Sequence, residues 1–362
     1  DPRDLHSVPT RRSSDLAIVP DIEVIEEQPT PVKSRNGFAT KIALIGAFDT
    51  TESSPQMFLS LTEAQTALGT DDTYNGCKVL PIIFGTGGVL AVNITTESNG
   101  TRDKSLTTTK LTEALAKIKG EDFDMLFVAD SLADEAIVIL DTFLGETFKM
   151  KFPAEYVFAA SRQNTAAYTA TAAKVGNYCS GMVIQAGTIK GESYDLLETA
   201  AYYASHIAEM FVGNSMTMKQ VPYLTAVSPE YTFETGDAGK TLVGAGITIF
   251  RVLDRASGNL VVVNSEQPNG YDLYINRVRN YVIKEMALRQ FLGNRNRKPT
   301  LGEVEHALDT LKERCINTLD LLNDIQYTVE KVDSKTVDVI LTKLVFDGII
   351  TKIRVKYTIE VI

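Results

Sequence analysis

Between Leu106 and Ile189, short apolar runs alternate with helical stretches, and few architectures accommodate that alternation. The runs DMLFVAD, YVFAAS and MVIQAGTI lack the strict period of two that marks a strand with one wet face. A strand that is apolar on both faces needs cover on both. The intervening helices, LTTTKLTEALAKIKG and SLADEAIVILDTFLGETFK, and a third, alanine-rich segment can supply it. The expected product is a parallel sheet with helices on both faces, closed by the long helix ESYDLLETAAYYASHIAEMFVG.

Upstream, IALIGA (Ile42 to Ala47) reads as a buried strand. SLTEAQTALG reads as a helix with Ser60 as N-cap, Glu63 completing a capping box and Gly69 as the stop. Strands are expected at Lys78 to Phe84 and at Leu90 to Ile94, on either side of the turn GTGG. With the polar stretch TTESNGTRDKS as its end, this region is expected to form a small α/β domain over 37–105, ahead of the main α/β domain over 106–270.

Downstream, a helix is expected near Gly236 to Ala245, and strands at Ile247 to Val252 and Leu260 to Val263. Helices follow at Tyr271 to Leu292 and Thr300 to Asn323. The second carries Leu301, Val304, Leu308, Leu311, Cys315 and Leu319 at helical spacing, a core-facing stripe. Strands at Ile325 to Val332, Thr336 to Phe346 and Ile349 to Ile362 complete a C-terminal domain over 271–350 and a final strand over 351–362, with Asp347-Gly348 as a hairpin turn. The fold class is α/β, α+β as a whole.

Both ends read as extended arms. In IRVKYTIEV, Ile353, Val355, Tyr357, Ile359 and Val361 alternate with polar residues, a strand that needs a partner to avoid aggregation. Near the other end, Ile22 and Val24 alternate with Asp21 and Glu23 ahead of a Pro-rich linker, within an arm over 17–36. Two such arms suggest reciprocal strand addition between subunits, a heterologous linkage that builds rings or open helical polymers. Strands of the chain's own sheet are the competing reading. The first sixteen residues, DPRDLHSVPTRRSSDL, have no strand or helix period, resemble translated adapter sequence and are read as a non-native leader.

Chemistry finds little purchase in this sequence. Of three histidines, His6 falls in the leader, while His206 and His306 sit inside helices with no His or Cys at ligand spacing. Cys77, Cys179 and Cys315 are far apart, so no disulfide framework or thiolate zinc site is expected. Tyr178-Cys-Ser-Gly lacks the first glycine of a nucleophile elbow. Gly236-Asp-Ala-Gly-Lys-Thr ends like a phosphate loop, but Glu234 stands where its first glycine belongs, and Gly85-Thr-Gly-Gly has Leu90 where a dinucleotide loop needs its third. No catalytic residue, cofactor or metal is assigned.

Charge excludes further classes. A net charge of −10 disfavours nucleic acid, and no apolar run approaches the roughly 20 residues of a membrane helix, so neither nucleic-acid binding nor membrane insertion is expected. Residues 277–298 nevertheless carry +6, leaving −16 for the rest of the chain. Arg277, Arg279, Lys284 and Arg289 in this block are expected to face an acidic partner. A solvated basic helix face is the alternative.

With these pieces in order, the chain resembles the sheath protein of contractile tails, in phages and in phage-tail-like bacteriocins. The resemblance runs from Ala17 to Ile362 and rests on PDIEVIEE, IALIGAF with LTEAQTALG, GAGITIFRVL, YDLYINRVRNYVIKEMALRQFLG and the closing helix and strands. It implies a core with subtilisin-like topology and no protease triad, in a subunit that polymerises around a tail tube, assembled metastable, and contracts to drive the tube through a cell envelope. It implies self, the tube protein, the baseplate and the tail terminator as partners. The implied location is a virion tail or tail-like particle assembled in a bacterial cytoplasm. The terminal arms would link subunits, and the basic helix would face the tube. The chain is short, leaving little room for the outer domains of larger sheaths. A nucleotide- or small-molecule-binding α/β enzyme and another self-assembling tail or shell component are the competing functions.

Overall fold

The strand Ile42–Gly46 (β1) is buried along its whole length and pairs with a parallel strand on each side. The computed structural model describes residues 40–84, 87–149, 153–254, 259–285, 301–331 and 337–346. After β1 come β2 (Gln56–Phe58), α1 (Leu61–Leu68), α2 (Asn75–Ile83), β3 (Val89–Asn93), β4 (Thr96–Ser98), β5 (Thr101–Asp103) and α3 (Thr108–Lys117). The next elements are β6 (Met125–Ser131), α4 (Asp134–Lys149), β7 (Glu155–Ala159), α5 (Thr165–Ala172), β8 (Cys179–Val183), β9 (Ala186–Ile189), β10 (Glu192–Tyr194) and α6 (Leu196–Glu209). The chain continues through β11 (Leu224–Ser228), α7 (Ala238–Gly244), β12 (Phe250–Asp254), β13 (Asn259–Val262), α8 (Leu273–Lys284), α9 (Leu301–Glu313), a π-helical turn over Arg314–Thr318, β14 (Asp324–Lys331) and β15 (Val337–Val345).

The main sheet runs β2-β3-β1-β6-β7-β8, with β2 antiparallel on the edge and the other five parallel. Among the parallel strands the second lies outside the first and the rest follow in sequence, the doubly wound order. Strands β1, β3, β7 and β8 are buried at every residue, which is why their sequences are apolar without alternation. Helices α2 and α6 pack on the sheet and on each other. Helices α3 and α4 add Leu111, Leu115, Ile137, Leu140 and Leu144 to the same core.

Three expectations are corrected. The boundary expected at 105 separates nothing, because β1 is bonded to β3 on one side and to β6 on the other, so 42–93 and 125–183 share one sheet. The strand expected at Lys78 to Phe84 is helix α2, with Gly76, Cys77, Val79, Leu80 and Ile83 all buried. A short apolar run looks the same in a buried helix and a buried strand. Ser60 does precede α1, but its side chain makes no capping bond; the closed capping box belongs to α6, between Asp195 and Glu198.

A second hydrophobic core forms from Val212, α8, α9, the π-helical turn and β14, with Val278, Val282, Leu311, Cys315 and Ile325 at its centre. Helix α8 is shared: Leu273 belongs to the main core, while Tyr274, Val278, Tyr281 and Val282 belong to the second. Among the described residues no helix is long and apolar enough to cross a membrane.

Candidate assembly surfaces

Helix α8 lies against the amino-terminal ends of the parallel strands, where its cations find carboxylates. Arg277 Nε is 3.2 Å from Glu155 Oε1 at the start of β7, and both side chains are buried. Ser180 of β8 donates its hydroxyl to Glu155 Oε2 at 2.5 Å, and Arg277 Nη2 donates to the Met210 carbonyl at 3.2 Å. Burial pushes the Glu155 carboxyl above its ordinary range, against the opposing pull of Arg277 and Ser180. One helical stretch further on, Lys284 Nζ reaches Asp122 at 2.5 Å and Asp124 at 2.6 Å, just ahead of β6. Burial lowers the Lys284 ammonium pKa, but Asp124 and Asp122 outweigh it and the net shift is upward. Arg279 packs its guanidinium near the rings of Phe148 and Tyr178, 5.6 and 5.9 Å from their centroids, and donates to the Asn177 carbonyl.

The basic stripe expected on the outside of this helix is therefore corrected. Arg277 is only 4% exposed, and Arg277 and Lys284 pair with acids of the same chain. The acidic partners implied by the charge imbalance are, for these two residues, Glu155 at the start of β7 and Asp122 and Asp124 just ahead of β6. Nothing local in the sequence links position 277 to position 155; only the fold brings them together. Arg289 lies outside the described residues.

The arm residues Ile22, Val24, Ile353, Val355, Tyr357, Ile359 and Val361 also lie outside the described residues. What is described next to the C-terminal arm is the antiparallel pair β14 and β15, in register from Asp324↔Val345 to Lys331↔Val337 with one bulge. Among the described residues these strands pair only with each other. Ile325 is buried, while Tyr327, Leu341 and Leu344 pack only partly against the second core. Lys312 to Asp324 at 2.7 Å, and the Tyr327 hydroxyl donating to Asp309 at 2.5 Å, tie the pair to α9. A two-stranded sheet is marginal by itself and gains from further strands.

The places where an α/β enzyme keeps its chemistry are filled by this chain's own backbone. In doubly wound folds, ligands enter at the carboxyl ends of the strands where the order reverses, here between β1 and β6. Gly76, near the start of α2, sits on that spot: its N–H donates to the Ala47 carbonyl at 2.8 Å. A Cβ on Gly46 would stand 2.8 Å from the Ala129 Cβ. Asn93 Oδ1 accepts from the Phe48 and Thr95 N–H groups, and Asn93 Nδ2 donates to the Thr50 carbonyl, fastening the loop after β1 to the end of β3 on the other side of β1. At the phosphate-loop lookalike, a Cβ on Gly239 would lie 2.4 Å from the Thr232 carbonyl, so that glycine serves close packing. His206 is partly buried, and burial together with Arg277 lowers its pKa to about 4; His306 is exposed. Among the described residues no group of His, Cys, Asp and Glu is arranged to hold a metal ion.

Comparison with solved structures gives the fold a context. A chain of the anti-feeding prophage baseplate, determined by cryo-EM, aligns with a TM-score of 0.63 at 14% identity, over 90% of this chain and 94% of the other. A chain of the anti-feeding prophage helical sheath in its contracted state aligns at 0.61 and 14% identity, over 89% and 93%. The sheath tail protein from Desulfitobacterium hafniense aligns at 0.58 and 11% identity, over 83% and 95%. No protein-family model and no curated protein matches the sequence. The chain has the fold of contractile-tail sheath proteins, along nearly its whole length.

Proposed function

We propose that this chain is a subunit of a contractile tail sheath: a structural protein without catalytic chemistry that polymerises around a tail tube and shortens to drive the tube forward. In this reading, strands from the terminal arms of neighbouring copies add to the β14–β15 pair. The observation that carries it is that pair, an eight- and a nine-residue strand with no further partner among the described residues, in a chain folded like sheath subunits. Strand addition extends the ladder by main-chain hydrogen bonds, which hold whatever the side chains. Arms exchanged between neighbours keep the polymer connected through main-chain bonds while the folded bodies of the subunits reorient. The tube, the baseplate and a tail terminator are the partners this role requires, and the tail of a virion or tail-like particle, assembled in the bacterial cytoplasm, is its place.

The test is deletion of Thr351 to Ile362. Purified full-length protein is expected to form hollow cylinders in negative-stain electron micrographs, while the truncated protein stays folded by circular dichroism and forms none. A truncated protein that polymerises like the full chain rules out strand addition from the C-terminal arm.

A further inference from the structure

The segment Met216 to Tyr223 displays apolar side chains in a way that costs conformational energy. Met218 and Tyr223 are 52% and 54% exposed, and both occupy left-handed backbone conformations, at φ of 57° and 58°. Residues with a Cβ seldom take that region, so something must impose it. The imposing bonds are Met218 N–H to the Val262 carbonyl at 2.8 Å, Val262 N–H to the Lys219 carbonyl at 3.0 Å, and Lys190 N–H to the Tyr223 carbonyl at 3.1 Å. Clamped to β13 and to the β9–β10 turn, the segment buries Met216 and Val221 but holds Met218 and Tyr223 outward. Lys219 is exposed between them, and the Lys190 ammonium lies 5.1 Å from the Tyr223 ring centroid. The result is an exposed knob-like segment that carries two apolar side chains, Met218 and Tyr223, with the cations Lys219 and Lys190 beside them.

Beyond the other end of β11 lies a cleft of about 340 Å3. Phe250 floors it, the half-buried rings of Tyr231 and Phe233 wall it, and Glu230 and Glu234 are exposed on it. The Arg251 guanidinium is stacked on Phe233, 4.9 Å from the ring centroid, and Asp237 sits beside Glu234, accepting its backbone N–H at 2.8 Å. Carboxylates beside aromatic rings make a site for a cationic side chain with apolar neighbours.

We propose that the knob of one copy docks into the cleft of the next. This rests on the sheath-subunit reading and assigns one of its contacts. Knob and cleft complement each other in charge and in apolar content, and each chain carries both. They lie at opposite ends of β11, a five-residue strand spanning roughly 17 Å. A contact between two different patches on identical chains does not close on itself at two copies; it propagates into a ring or an open helix.

A charge exchange tests it. One variant carries Lys190→Asp and Lys219→Glu, aspartate being tolerated in the left-handed conformation of Lys190. The other carries Glu230→Lys and Glu234→Lys. Each alone opposes like charges across the contact and is expected to reduce sedimentable polymer at least about tenfold. Mixed in equal amounts, the two are expected to restore polymer, with the variants alternating. Normal polymerisation of either variant alone overturns the proposal, and so does a mixture that fails as both variants do. If the wild-type chain forms no polymer, the sheath reading fails instead, and the knob–cleft contact is then judged by sedimentation velocity: a mixed complex that neither variant forms alone supports it, and its absence overturns it.

Discussion

Arg277 and Glu155, 122 positions apart in sequence, form an ion pair of 3.2 Å with both side chains buried, at the point where α8 meets β7. Taking one member of such a pair away strands the other in a poorly solvating interior, so Arg277→Met is expected to cost about 3–5 kcal/mol. The double change Arg277→Met with Glu155→Met is expected to lie well closer to the wild-type stability, since apolar replacements of a buried pair are often neutral. Urea denaturation of the four proteins closes the cycle; additive costs would show that the pair is not coupled.

His206 gives the folded chain an acid sensitivity with a definite sign. Its pKa in the fold is about 4 against an ordinary 6.5, so below pH 6.5 the unfolded chain takes up a proton that the folded chain does not. Stability from this group is complete above that value, declines as pH falls toward 4 and flattens below it, by on the order of 3 kcal/mol in total. Glu155, shifted upward, contributes with the opposite sign, but it does so in wild type and variant alike. His206→Gln is expected to lose less stability than wild type between about pH 7 and about pH 4.5. Identical pH dependence in urea midpoints would remove His206 as the cause.

Gly76→Ala is expected to destabilise the protein by about 1–3 kcal/mol, the range for overpacking. The added Cβ would stand 2.5 Å from the Ala47 carbonyl oxygen and under 3 Å from the Phe48 ring. Gly100→Ala, where nothing lies within 4 Å but φ is 74°, isolates backbone strain from crowding. Thermal unfolding of the two variants separates these causes, and a Gly76→Ala protein as stable as wild type would mean that α2 can shift off β1.

Cys77, Cys179 and Cys315 are buried as free thiols, and burial pushes the Cys179 thiol well up and that of Cys315 up to about 11. A thiol reagent is expected to label the native chain at the rate of unfolding, with all three reacting together in denaturant. Rapid labelling of any one under native conditions would locate a site of local opening.

Strands β1, β6 and β7 were legible because burial on both faces leaves their runs mostly apolar, whereas the run expected at 182–189 divides between the end of β8 and β9, which belongs to a separate antiparallel sheet. Helix α2 was misread for the same reason, since Cys77-Lys-Val-Leu-Pro-Ile-Ile is apolar enough for either element. The β4–β5 hairpin passed as a polar stretch, although its Asn99-Gly100 turn, at φ of 53° and 74°, is a strong short-range hairpin signal. The cations of α8 were visible as a cluster, but their direction was not, because Asp122, Asp124 and Glu155 are recruited by tertiary contact. The knob on the Met216 to Tyr223 segment had no signature at all; left-handed conformations at Met218 and Tyr223 are imposed by β13 and β9.

The chain enters the described structure at Thr40 and passes at once into β1, the strand held by parallel neighbours on both sides. Tension applied at Thr40 along the axis of β1 is therefore borne by an interior strand. Hydrogen bonds to β3 and β6 then carry the load together in shear; they cannot be opened one after another, as at a sheet margin. A tether attached there is anchored in the interior of the sheet, and its load is shared with the strands on both sides.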